Sequence, residues 1–326
     1  MIVISLVVFK MGKEDPSDMF HHWKDMTRTA VADYFWALLK ADLWEVLSII
    51  GVCQILLLPI ITQSFGVRMA AAIGLGLLYL VMNFGFQYNF QNGLPNWFNN
   101  IYGVHERRAW DGGMFGVIGW SIPMLAGSLA YDVVTKNEPE NSIFKFLIVG
   151  LSLMLAGYSL SCLTRLYDRP VPLTKEVMEE QKISEHAADP VIPRGERWKS
   201  PGLGWAEVPF FQASPGKEKR EHNFWMMNKR YVTISYTLFS IGFALVLYCV
   251  FIGWCDINRG QLALFRTFGQ NPLAAYVIHE GTMYALKVLT PKDSPFLWVV
   301  ISFSIFFAIT WGTLRYLEKN KLYFRL

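Results

Sequence analysis

VTISYTLFSIGFALVLYCVFIGW, residues 232–254, runs for 23 positions without a single charged side chain. At 1.5 Å per helical residue it reaches ~34 Å, enough to cross a hydrocarbon core of ~30 Å. Further apolar segments occur at 44–62, 67–86, 112–133, 143–163, 271–289 and 296–316. The pattern predicts an all-α, polytopic transmembrane helix bundle with seven complete spans. Two weaker N-terminal pieces, 1–9 (MIVISLVVF) and 27–42 (TRTAVADYFWALLKAD), stand before them. Composition agrees: of 326 residues 53% are hydrophobic and only 17% charged, whereas a soluble domain carries about 25% charge. Disorder, a disulfide-rich secreted scaffold and a soluble dinucleotide-binding enzyme are excluded. A net charge of +4 is too small to imply a nucleic-acid partner.

Residues 1–9 lack the basic lead and small-residue cleavage site of a signal peptide. Followed by Lys10 and Lys13, they read as the cytoplasmic end of a helix whose start lies upstream, so the chain is expected to be shortened at its N-terminus. With 1–9 leaving into the cytoplasm and 27–42 as a span, thirteen Lys and Arg, from Lys10 to Arg325, gather on one side. The short loops of the other side hold five: Lys40, Arg107, Arg108, Lys287 and Lys292. Basic residues mark the cytoplasmic face. The bias predicts a cytoplasmic C-terminus and a long extracytoplasmic loop at 165–222 within a single multi-pass domain, 1–326. That loop carries seven prolines and mixed charge. Cys53, Cys162, Cys249 and Cys255 lie in or at the end of apolar runs, without CxxC spacing, and read as small apolar helix residues.

An ionisable side chain within a span is costly and marks a functional candidate. FRTFGQNPLAAYVIHEGTMYAL, residues 265–286, holds two. Asn271 and Pro272 suit the cap and first position of a helix, which places His279 and Glu280 roughly 12–13 Å into the membrane. Tyr276, Glu280 and Tyr284 recur at i, i+4 and i+8, so two hydroxyls can flank the carboxylate. His279 suits a proton acceptor near neutral pH; the alternative is a His and Glu that tie this helix to its neighbours. At the start of another span, WMMNKRYVTISY (225–236) offers Lys229 and Arg230, which could equally snorkel to the interface. The stretch 87–111, QYNFQNGLPNWFNNIYGVHERRAWD, sets Trp97 and Trp110 among amides and carboxylates. Such a surface suits a sugar ring; an interfacial aromatic belt is the other reading. No metal-ligand spacing, Ser–His–Asp order or Gly-rich phosphate loop occurs.

Three segments together resemble the family of heparan-alpha-glucosaminide N-acetyltransferase and its bacterial relatives: WEVLSIIGVCQILLLPII (44–61), MNKRYVTISYTLFSIGFAL (227–245) and FGQNPLAAYVIHE (268–280). They are similar to the family's "vLqrIGl" span, "NKxxxxxSY" span start and "GxNxxxxYxxHE" penultimate span, in that order. WDGGMFGVIGWSIPMLAGSLAYD (110–132) matches its Gly-rich middle span. The resemblance covers nearly all of 40–316. It implies a transferase of a bacterial cytoplasmic membrane that moves an acetyl group from cytoplasmic acetyl-coenzyme A, a co-substrate, to an amino sugar at the outer face. Carried over, Asn228 and Lys229 match "NK", and Ser235 and Tyr236 match "SY". Asn271, Tyr276, His279 and Glu280 match the penultimate-span motif. On this reading His279 and Glu280 are catalytic, while Asn228, Lys229, Tyr236, Asn271, Tyr276, Trp97 and Trp110 bind substrate. Arg266, at the cytoplasmic mouth, binds the phosphates of coenzyme A. The expected partners are membrane lipid and a carbohydrate acceptor, with a homodimer as an option. The family's opening "LDxxRG" span, its outer-loop His and its "DLxFPxF" span have no counterpart here. The alternative is therefore a non-enzymatic carrier or a catalytically impaired remnant. The lack of internal symmetry, which a carrier would show, favours the enzyme.

Overall fold

The computed structural model describes residues 36, 39–40, 43–94, 96–98, 109–164, 224–261, 263–291 and 293–324. The expectations for 1–9, for most of 27–42 and for the loop 165–222 lie outside them. Among the described residues every regular element is helical. In chain order these are α1 (Val46–Ile61), α2 (Phe65–Asn92), α3 (Gly113–Lys136), α4 (Pro139–Ser161) and α5 (Ile234–Phe251, continued by a π-helical turn Ile252–Ile257). Then come α6 (Ala263–Gln270), α7 (Pro272–Leu289) and α8 (Phe296–Lys319). Five of them, α2, α3, α4, α5 and α8, are long and apolar enough to cross a membrane. The expected spans 44–62 and 271–289 are helices too. α1 has 16 residues, ~24 Å, and α7 has 18, ~27 Å, the latter interrupted by His279, Glu280 and Lys287.

The surface agrees with these spans. Ile55, Val81, Tyr131, Phe144, Leu155 and Val250 stand 63–69% exposed, an arrangement that water would penalise at about 25 cal/mol per Å² and lipid would not. The interior is instead rich in small and polar side chains, among them Ser48, Ser121, Ser142, Ser161, Thr233 and Thr237. This is the architecture of an integral multi-pass membrane protein. Lipid gives no hydrophobic drive for helices to associate, so close packing and internal hydrogen bonds must hold them.

The chain forms two compact units, Met1–Ile252 and Gly253–Leu326. In the first, α2 runs antiparallel to α3. At one end buried Arg68 pairs with Asp132 and donates to Ser128 O at 3.1 Å. The two neutralise each other, which makes a buried guanidinium tolerable. α1 lies on α3 through Trp44, Ile49, Cys53 and Val117. α4 and α5 pack most closely, at Gly150, Gly157 and Gly242. All four cysteines are free, and three are buried.

In the second unit α8 packs on α6 and α7. Asn271 was expected to cap α7 with its side chain, and it does not. Its Nδ2 donates to Leu322 O and its Oδ1 accepts from Phe324 N–H, both at 3.0 Å. The fully buried amide thus ties the segment after α8 to the start of α7. A planar amide can satisfy one extended stretch of backbone through both of its ends, which a cap bond would forgo. Pro272 supplies the first helical position, as its missing N–H predicts.

Candidate functional site

Two clusters gather the candidate residues, one in each unit. In the first unit, α2 changes to a π-helical turn at Asn83–Gln87 before it resumes as Tyr88–Asn92. Such turns are rare and concentrate at functional sites. Around it Tyr79, Asn83, Gln87, Gln91 and Asn92 are all buried. Tyr79 donates to Tyr231 O at 3.0 Å, Asn83 Nδ2 to Tyr79 O at 2.8 Å, and Gln87 Nε2 to Gly112 O at 2.6 Å. Asn83 Oδ1, Gln87 Oε1 and both ends of the Gln91 amide have no partner among the described residues, so polar capacity is left in the interior of this helix end.

α3 begins beside them through three consecutive left-handed residues, Asp111 (φ 46°), Gly112 (84°) and Gly113 (63°). A Cβ on Gly113 would lie 2.8 Å from Lys40 O, so glycine is required there for space as well as for backbone angle. The turn drives the Asp111 side chain inward, where it is 3% exposed. Its Oδ2 lies 3.8 Å from Lys229 Nζ, and its backbone carbonyl accepts from Trp120 Nε1 at 3.1 Å. Burial pushes the Asp111 carboxyl up to about 6, with Lys229 opposing, Glu45 adding to the rise and Arg230 opposing.

The residues read from 225–236 collect here. Lys229 faces Asp111, Arg230 lies 4.9 Å over the Trp110 ring, and Tyr236 packs edge-on against Trp120 at 6.2 Å. Asn228 is a turn builder: its Oδ1 accepts from Arg230 N–H at 2.9 Å and its N–H donates to Thr233 Oγ1 at 3.0 Å. Trp97 belongs to a separate aromatic group with Phe86, Phe98 and Phe115. Of the described residues of the stretch 87–111, Gln87, Gln91 and Asp111 belong to this cluster. The amides at 83, 87 and 91, four apart in a mostly apolar helix, were the available sequence signal for the rest.

Ionising a buried carboxyl opposes folding, so the sign for Asp111 is set. Its folded value of about 6 exceeds the ordinary 3.8. Its favourable contribution is therefore complete below ~4 and lost as pH rises through ~6. Asp111→Asn should match the wild type in thermal stability in detergent at pH 4, gain on it as pH rises to about 6, and hold that gain at pH 7. A difference that stays flat with pH would contradict the assignment.

The second unit holds the other cluster, on α7. His279 Nδ1 lies 2.6 Å from Tyr276 O, and Nε2 lies 3.3 Å from Glu280 Oε1. A carbonyl can only accept, so Nδ1 carries a proton. Nε2 then faces the carboxylate, and a proton taken up there can be donated to Glu280. The two side chains remain 32% and 33% exposed. The Tyr276 ring tilts over His279 at 5.1 Å, while Tyr284 stands 74% exposed. At the start of this unit Arg266 pairs with Glu318 through Nε at 3.1 Å and Nη2 at 3.0 Å. The same carboxylate accepts from Thr267 and from Arg315, each at 2.6 Å. Two guanidiniums on one carboxylate leave a surplus positive charge, and Arg266 is half exposed.

No family model, curated protein or solved structure matches the chain.

Proposed function

We propose that this protein is a multi-pass membrane acyltransferase that moves an acetyl group from acetyl-coenzyme A to an amino sugar or related carbohydrate. On this reading α1 and α7 also cross the membrane, giving seven spans, and the C-terminus is cytoplasmic. The observation that carries it is the His279–Glu280 pair, with one imidazole nitrogen committed to Tyr276 O and the other turned to a carboxylate. An acceptor amine or hydroxyl attacks the thioester carbonyl, forming a C–N or C–O bond as the C–S bond breaks. Its proton passes to His279 Nε2 and then to the departing thiolate, which leaves as coenzyme A thiol. Glu280 stabilises the imidazolium formed between these steps. The motif resemblance supplies the substrate class.

Support for the donor side comes from the Arg266–Glu318–Arg315 group, whose surplus charge suits phosphate. The Asn271 clamp holds the segment after α8 at the same end of the unit. Arg266→Ala should weaken coenzyme A binding, by isothermal titration of the purified protein, about five- to thirtyfold, the worth of one lost charge-assisted contact of 1–2 kcal/mol. Arg107→Ala, on the opposite expected face, should leave binding unchanged. Equal effects, or no binding by the wild type, would remove the donor assignment.

A further inference from the structure

The first unit contains a cleft of about 840 Å³ walled by α2, α3, α4 and α5. Its walls are apolar along almost their whole length: Ile73, Leu77, Ile122, Leu129, Leu153 and Ile241 are representative. At one end the lining changes to Asp132, Lys136, Asn137 and Lys145, where α3 ends and α4 begins. From Leu80 to Phe65 the α2 wall extends fifteen residues, ~22 Å, which exceeds half of a ~30 Å hydrocarbon core.

The residues that line the polar end carry more positive than negative charge. Asp132 is shared between buried Arg68 and Lys136, the latter at 3.2 Å, so the Arg68–Asp132 pair is neutral by itself. Lys136 and Lys145 then remain as two surplus cations, the Lys145 ammonium donating to the neutral Asn137 amide. Glu138 and Glu140 open α4 nearby but do not line the cleft. An apolar slot one leaflet deep that ends in two ammonium groups fits a ligand with a long acyl chain and an anionic head.

We propose that this cleft is a binding site for one anionic glycerophospholipid, its chain between α2 and α5 and its phosphate on Lys136 and Lys145. The charge bias along the sequence puts these lysines on the cytoplasmic side, where anionic lipid is concentrated. The site is independent of the acyl-transfer chemistry. A resident lipid here replaces side-chain packing that the four helices do not supply.

The test is lipid competition read by native mass spectrometry on the full chain, with phosphatidylglycerol and phosphatidylcholine of identical chains. Each lysine beside an anionic head contributes roughly fivefold in affinity, so the wild type should favour phosphatidylglycerol about twenty-five-fold. Lys136→Gln/Lys145→Gln should abolish the preference while some lipid is retained. Gly76→Leu fills the slot, since a Cβ there meets only Ile122 Cδ1 at 3.7 Å. It should displace both lipids and leave the protein monodisperse with unchanged helix content. Four results would overturn the proposal. Equal retention of both lipids by the wild type means annular lipid only, and a preference that survives the double lysine variant puts the head elsewhere. Competition by glycerol phosphate, without acyl chains, as strong as by the lipid means a surface phosphate site. Unfolding of the Gly76→Leu variant together with a lipid-free wild type means that protein, not lipid, fills the slot.

Discussion

Replacing His279 with alanine should lower acetyl transfer by about 10²–10⁴-fold, the contribution of a positioned general base. The argument rests on the two ring nitrogens. Nδ1 is held by Tyr276 O at 2.6 Å, so the ring cannot turn and only Nε2 is available to take a proton. Nε2 lies 3.3 Å from Glu280, so the imidazolium formed on transfer has its counter-charge in place. Glu280→Gln should therefore lower the rate less than His279→Ala, because an amide still orients the ring but cannot balance its charge. Radiolabelled acetyl transfer by the detergent-purified protein reads both, with the His21→Ala/His22→Ala double variant as reference. Loss in that double variant alone would move the base to the N-terminal region. An inactive but folded wild type would return the chain to the non-catalytic reading.

Gly242→Leu should abolish the folded state. A Cβ at Gly242 would lie 2.4 Å from Gly150 O and 2.8 Å from Met154 N, and one at Gly157 would lie 2.7 Å from both Phe239 N and Ser235 O. These neighbours are backbone atoms, which no rotamer change can move aside. The α4–α5 crossing would have to open along its length, forfeiting the close contact that holds helices together in lipid. Ordinary overpacking costs about 1–3 kcal/mol, and here an entire interface separates, against a total stability of about 5–15 kcal/mol. Gly127→Leu is the control, since nothing lies within 4 Å of a Cβ there. Size-exclusion profiles after heating should show aggregation for Gly242→Leu and Gly157→Leu, and a wild-type profile for Gly127→Leu. Equal behaviour of all three would mean that α4 and α5 do not meet as described.

What could be read along the chain was whatever depends on near neighbours in sequence. Hydrophobicity over some twenty residues marks where a helix can meet lipid: each of the seven stretches expected between 44 and 316 is helical, and five of them are long and apolar enough to cross a membrane. The adjacency of His279 and Glu280 was legible too, whereas the Tyr276 backbone carbonyl on His279 Nδ1 was not: the spacing had pointed to the tyrosine hydroxyls beside Glu280. Which polar group meets which was not. Arg68 and Asp132, 64 positions apart, find each other because α2 and α3 run antiparallel. Asp111 is driven inward by a left-handed turn that Gly112 and Gly113 permit, and only there does it meet Lys229. Asn271 has the composition of a cap and becomes a clamp on Leu322 and Phe324, because the segment after α8 happens to pass its amide. Arg266 shares Glu318 with Arg315 for the same reason, since α6 lies on α8. Local propensity and transfer free energy act residue by residue and are written in the sequence. The partner of a buried charge or amide is decided by helix packing, which sets distances between positions that no local rule connects.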